Sequence, residues 1–277
     1  LLAVRSCKKK AYVINHVPVD SFGSLFVNYI IRSSDVFLIE YKDSSGVASY
    51  VESCGIFGRL QLILKFAHKK GTFKWFIRQI ISQVAQIFSY FFARDSDYLL
   101  MVGKNIDATS EHSKKIQIHS FDYSIYLKYK YKKSYSGNNT IVFLDGGTPF
   151  FKTDDLLLGS KVGFTVNEWY PSLLLFFDWL EKEMNCTVVI AAHPKHKYNN
   201  EAKKVFNGRE VLHNKTVGLV KQSSLVLTRA STAISYAIMF KKPIIVLTSN
   251  ELVKNVNTSA KNTKYLKKIL GCQMVNI

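Results

Sequence analysis

TVVIAAHP at 187–194, SLVLTRASTAISY at 224–236 and PIIVLTSNE at 243–251 decide how this chain is read. Each contains a continuous run of Val, Ile and Leu, at 187–192, 224–228 and 243–248, and material of helical period separates one run from the next. Short apolar runs without alternation are the pattern of strands buried on both faces, as in a parallel sheet. Polar residues follow each run at once: His193-Pro194, Arg229-Ala230-Ser231-Thr232 and Ser249-Asn250-Glu251. The carboxyl ends of strands in an open α/β sheet are where ligands bind, and helix N-termini there offer unpaired N–H groups to an anion. The stretch 187–249 therefore reads as a phosphate-binding half domain.

Outward from this stretch the alternation continues. TIVFL at 140–144 is a buried strand closing on Asp145-Gly146-Gly147, and 170–184 reads as a helix with Leu173, Leu174, Phe177 and Leu180 or Trp179 on its apolar face. Pro171 falls in the first turn of that helix, where a missing N–H costs nothing. Residues 231–240 form a helix with Ser231 as its cap and Lys241-Lys242 at the end where the dipole favours cations. Toward the N-terminus, 11–15, 35–41, 97–103 and 115–119 are strand candidates and 25–31 a helical one. Residues 73–93 show an amphipathic helix, with Phe73, Phe76, Ile77, Ile80, Val84, Ile87, Phe88 and Phe91 on one face. That face suits packing on a sheet or lying on a membrane surface. The basic, tyrosine-rich segment 126–135 reads as a solvated helix or linker, and Ser136-Gly137-Asn138-Asn139 as the domain boundary.

The expectation is an α/β protein of two Rossmann-like domains, 1–135 and 136–277, with a cleft between them. The chain begins with Leu, so the first domain is expected to be truncated, short of an N-terminal strand. With 277 residues, 47% of them apolar, two cores can be furnished. The net charge of +18 favours an anionic partner: a nucleotide, a lipid head-group surface or a nucleic acid. Cys7, Cys54, Cys186 and Cys272 lie far apart with no metal-ligand spacing, as reduced thiols of a cytoplasmic protein do. No apolar run reaches the roughly 20 residues that a membrane span needs.

The chemistry-bearing candidates cluster at the strand ends. His193 can hydrogen-bond a phosphate and, protonated, neutralise charge on a leaving nucleotide; a structural histidine is the alternative. The hydroxyls of Ser231 and Thr232 with the first helical N–H groups offer an anion site, and Ile234 stands where a full capping box would carry an acid. Arg229 can add a charge-assisted contact. Asp145, at the same sheet edge, can take a proton from an acceptor hydroxyl; ordinary Asp-Gly turn chemistry is the alternative.

On VVIAAHP, on LVLTRASTAISYAIMFKKPIIVL and more weakly on VFLDGG, the sequence resembles GT-B type glycosyltransferases, in particular bacterial enzymes that build lipopolysaccharide, capsule and other surface glycans. Similar bacterial sialyltransferases carry an acid followed by Gly, then His-Pro, then a Ser-Ser or Ser-Thr pair. Asp145-Gly146, His193-Pro194 and Ser231-Thr232 keep that order, although Leu144 stands where those enzymes have a second acid. The resemblance covers 140–249. It implies a nucleotide-sugar donor held at its phosphate by His193, Pro194, Arg229, Ser231 and Thr232, with Asp145 as base and a glycan or lipid-linked glycan as acceptor. His16 and Asp20 are fallback bases. Within 140–249, the stretch that carries the resemblance, there is no DxD pair, so no metal and no cofactor is expected. The implied setting is cytoplasmic, peripheral on the inner face of an anionic membrane, with nucleic acid disfavoured. A sugar-nucleotide 2-epimerase of the same fold, or a basic nucleic-acid or membrane-binding module, are the rival readings.

Overall fold

A computed structural model describes residues 11–14, 26–27, 29–31, 33–43, 95–103, 112–133, 139–149, 164–194, 204–254 and 258–277. The amphipathic stretch 73–93 and both fallback bases, His16 and Asp20, lie outside the described residues. The chain divides into two compact units, the first closing at Ser120 and the second running over Phe121–Ile277.

In the first unit, strands β1 (Ala11–Ile14), β2 (Val36–Asp43), β3 (Tyr98–Val102) and β4 (Lys114–Ile118) form one sheet in the order β1-β2-β3-β4. All three pairings are parallel. Ile31, Val36 and Leu38 make one core cluster, with Ala11, Val13 and Val27 packed on them, and Leu99 and Val102 of β3 are buried as well. Asp97 ties the sheet's lower edge. Its Oδ2 accepts the Leu38 N–H at 2.7 Å, and its carbonyl accepts the Lys114 N–H at 2.9 Å.

The second unit carries α1 (Phe121–Lys130), β5 (Thr140–Leu144), α2 (Val166–Met184), β6 (Thr187–Ala191), β7 (Val211–Leu212) and α3 (Thr216–Gln222). Then come β8 (Leu225–Thr228), α4 (Ile234–Met239), β9 (Ile244–Thr248), α5 (Asn250–Lys254), α6 (Thr258–Leu270) and β10 (Gln273–Asn276). The sheet order is β10-β9-β8-β5-β6-β7, parallel throughout. Counted from β5 as the first strand, this is the doubly wound order 3-2-1-4-5-6. The fold is α/β with parallel sheets, as the continuous apolar runs imply.

Strand side chains alternate between two cores. Ile141, Phe143, Val188, Ile190, Leu225 and Leu227 face α2, whose Trp169, Tyr170, Leu173, Phe177 and Leu180 complete that layer. Val142, Leu144, Ala191 and Val226 face the other way, against Val220 of α3 and Tyr236 and Ala237 of α4. Both sheet faces are thus covered, which is why the runs carry no polar alternation.

The structure departs from sequence expectation in three places. Helix α2 starts at Val166, so Pro171 lies in its second turn rather than its first. There it removes the bond that would have reached the Asn167 carbonyl. Trp179 is 54% exposed and belongs to the solvent side, leaving Leu180 on the buried face. Helix α4 begins at Ile234 with Ala233 at its cap, so Ser231 does not cap it. The residues before it form a tighter turn, with Ile234 N–H to Ser231 O and Ser235 N–H to Thr232 O both at 3.2 Å. Residues 126–130 of the tyrosine- and lysine-rich segment, expected as a solvated helix or linker, are helical as the end of α1, which groups with the second unit. Hydrogen bonds fix the helix there, among them one from Lys221 Nζ to the Tyr129 carbonyl at 2.6 Å. Asp122 accepts from Ser235 Oγ at 2.5 Å and from Tyr236 Oη at 3.0 Å, while the Tyr126 and Phe240 rings pack 4.9 Å apart.

Candidate functional site

In this sheet the strand order reverses between β5 and β8. Helix α2, which leaves β5, covers one face, and α3 and α4, which flank β8 in sequence, cover the other. Loops that depart to opposite faces leave a crevice at the carboxyl ends of the two strands, the point where doubly wound sheets take ligands. A cleft of about 580 Å³ lies there, within the range that holds small-molecule ligands.

Its walls join residues far apart in sequence. Leu144 and Asp145 come from the end of β5, Ala191, Ala192, His193 and Pro194 from β6, and Ser231, Thr232 and Ala233 from the turn after β8. Phe121, Asp122 and Ile125 of α1, Asn214, Thr216 and Val217 around the start of α3, and Tyr236 of α4 close the remainder. Five residues singled out from sequence, Asp145, His193, Pro194, Ser231 and Thr232, therefore share one cleft. Those hydroxyls and the imidazole give one wall polar character. Phe121, Ile125 and Val217 give the α1–α3 wall an apolar one, and Phe121 is 72% exposed.

Local bonding fixes the strand-end loops. The Asp145 N–H donates to the Ala191 carbonyl at 3.1 Å, which holds the ends of β5 and β6 together beyond the last ladder pair. Asp145 Oδ1 accepts the Gly147 N–H at 3.0 Å. That turn needs φ = +74° at Gly147, a region that a side chain makes costly. Gly146 serves differently: a Cβ there would stand 3.6 Å from the Ala230 carbonyl oxygen, an ordinary contact against the neighbouring loop. In the turn after β8, the Ser231 hydroxyl accepts the Ala233 N–H at 3.3 Å.

Asp145 is 4% exposed, and its Oδ2 has no hydrogen-bond partner among the described residues. Burial pushes its carboxyl up from 3.8 to about 7, against the opposing pull of the Gly147 N–H and the Arg229 guanidinium. Burial likewise raises the pKa of Tyr170, and the Asp145 charge adds to the effect. Arg229 itself is not among the cleft walls. It is buried, with its guanidinium over the Phe164 ring at 4.9 Å.

No family model and no curated protein sequence matches this chain. Among solved structures it is similar to the glycotransferase of kitacinnamycin, at a TM-score of 0.38 and 10% identity over 96% of this chain and 86% of that one. It is also similar to the spinosyn rhamnosyltransferase SpnG, at 0.35 and 10% identity, with 94% of this chain covering 64% of that one. A third is E. coli ADP-heptose lps heptosyltransferase II, at 0.32 and 12% identity, with 97% and 90% covered. The fold described here rests on the strand order and registers given above.

Two contributors to the site carry little sequence signal. Asp122 is a lone acid among tyrosines and lysines, and only its position in the first turn of a helix marks it. Asn214 precedes α3 with φ = +55°, a left-handed turn that Asn tolerates. Among the described residues no group of three His, Cys, Asp or Glu could hold a metal ion, and no helix is long and apolar enough to cross a membrane.

Proposed function

We propose that the chain is a glycosyltransferase that moves a sugar from a nucleotide-activated donor to a hydroxyl of a bacterial surface glycan. The observation that carries this reading is the meeting of Asp145, His193, Ser231 and Thr232 on one cleft at the strand-order reversal. Such a crevice takes nucleotides in doubly wound sheets, and the same residues carry the resemblance to GT-B enzymes. In this reading the hydroxyls of Ser231 and Thr232, together with His193, hold the donor phosphate. The bond from the anomeric carbon to the phosphate oxygen breaks, and a bond to the acceptor oxygen forms. The acceptor proton passes to Asp145, and protonated His193 offsets the charge left on the nucleotide. A carboxyl with a pKa near 7 suits that proton transfer. The reading needs no metal, and it puts the protein in the cytoplasm against an anionic membrane that holds a lipid-linked acceptor.

One observation favours a second reading. Lys128, Lys130, Lys132, Lys133 and Tyr131 are exposed on and just after α1, as a basic module for polyanions or membranes would have them. Thermal melting with CMP, UDP, GDP, ADP and dTDP, on the wild type and on His193→Ala, separates the two. Saturation at a hundredfold over Kd adds about 2.7 kcal/mol, so one nucleotide should raise Tm by several degrees and the variant should lose that rise while melting normally without ligand. No shift with any nucleotide, alongside tight salt-sensitive polyanion binding, would replace the transferase by the binding module.

A further inference from the structure

Along β8 the residues Leu225 and Leu227 face α2, and continuing that alternation past the strand end directs Arg229 to the same side. On β5 the same parity carries Ile141 and Phe143 on to Asp145, and α2 presents Tyr170 to this layer. Three polar side chains, each at least nine-tenths buried, thus gather under the strand ends: Asp145, Tyr170 and Arg229. Two of its neighbours show where Arg229 stands. Its guanidinium covers the Phe164 ring at 4.9 Å, and its Nη2 lies 3.7 Å from where a Cβ of Gly146 would stand, beside the Asp145 loop.

We propose that Arg229 is a positioning residue for Asp145: a buried counter-charge that favours ionisation of this carboxyl beneath the cleft, rather than a ligand of the donor phosphate. A carboxylate withdrawn from water is stable only if paired or hydrogen-bonded. Here the Gly147 N–H serves one oxygen, and Oδ2 has no hydrogen bond among the described residues. The groups facing Asp145 are Arg229 from the loop after β8, Tyr170 from α2 and the Gly147 N–H, and His193 lines the same cleft from the end of β6. Of these, Arg229 supplies the permanent positive charge. Arginine suits the place because its planar guanidinium stacks on an aromatic face and gives up hydration more easily than an ammonium. Without it, only the Gly147 N–H opposes burial, and the carboxyl holds its proton to higher pH.

The catalytic use of Asp145 rests on the glycosyltransferase reading, but the charge pairing does not, so the test uses no substrate. The Asp145 carboxyl is titrated by carbon NMR, with its signal assigned by difference from Asp145→Asn, in the wild type, Arg229→Met and Arg229→Lys. Removing an opposite charge at close range moves a carboxyl by about 1–3 units. The midpoint should therefore rise by about one unit or more in Arg229→Met and return toward the wild-type value in Arg229→Lys. Nucleotide-induced stabilisation, where present in the wild type, should persist in Arg229→Met. An unchanged midpoint in Arg229→Met, or loss of the nucleotide shift without a change in midpoint, overturns the proposal. If Arg229→Met does not fold, the double variant Asp145→Asn/Arg229→Met decides. Recovery of folding means that the unpaired carboxylate was the fault; continued failure means that Arg229 serves packing alone and the proposal falls. A wild type that binds no nucleotide would instead sink the transferase reading while the titration still reports on the pair.

Discussion

Replacing Asp145 by Asn should flatten the stability of this protein against pH. The side chain keeps its size and its oxygen for the Gly147 N–H, and loses only the ionisation. In the folded wild type the carboxyl titrates near 7 instead of 3.8, because burial penalises the charged form. Between those values the folded chain holds a proton that the unfolded chain has released. The stabilisation that follows is full below the unfolded value and is lost as pH rises through the folded one. A difference of about three units corresponds to roughly 4 kcal/mol in all, and on the order of 3 kcal/mol of it disappears between about pH 5 and pH 8. At about 2–4 °C per kcal/mol for a unit of this size, the wild type should lose roughly 6–12 °C of Tm over that interval relative to Asp145→Asn. Thermal melts of both proteins at half-unit steps of pH measure this directly. The absolute Tm of the variant matters less than its slope, since Asn also leaves Arg229 without its counter-charge. Parallel curves from pH 5 to pH 8 would refute the reasoning and show that Asp145 titrates as an ordinary carboxylate.

Two stability predictions follow from packing in the same unit. Asp122→Ala removes the acceptor of both Ser235 and Tyr236; it should cost about 2–4 kcal/mol in denaturant unfolding and weaken any ligand of the cleft that α1 helps to line. Phe177→Ala opens the layer beneath the sheet, where Phe177 meets Phe143 at 5.4 Å and carries the Arg209 guanidinium on its ring. It should cost about 3–5 kcal/mol by chemical denaturation, whereas Trp179→Ala, on the exposed side of the same helix, should stay within about 0.5 kcal/mol.

Hydrophobic pattern alone was enough to locate β5, β6, β8 and β9 to within a residue or so, because a run of Val, Ile and Leu five residues long has no stable place except between two covered faces. The same pattern brought Asp145, His193, Ser231 and Thr232 into view, since a polar residue directly after such a run must stand at the sheet edge. Helix limits were less legible. At α4, the turn bonds of Ser231 and Thr232 compete with the first helical turn; at α2, the helix begins five residues before the proline that seemed to open it.

Sequence by itself determined that this chain builds parallel α/β sheets and which polar residues end their strands, for both facts are written in local runs of side chains. Only the tertiary structure decided that β5 and β8 are neighbours, so that residues 145, 193 and 231 line one cleft. It alone assigned α1 to the second unit through Asp122, and it alone turned Arg229 inward onto Phe164. Each of these outcomes depends on which strands pair and which face a helix covers, and those choices are made by burial summed over residues distant in sequence.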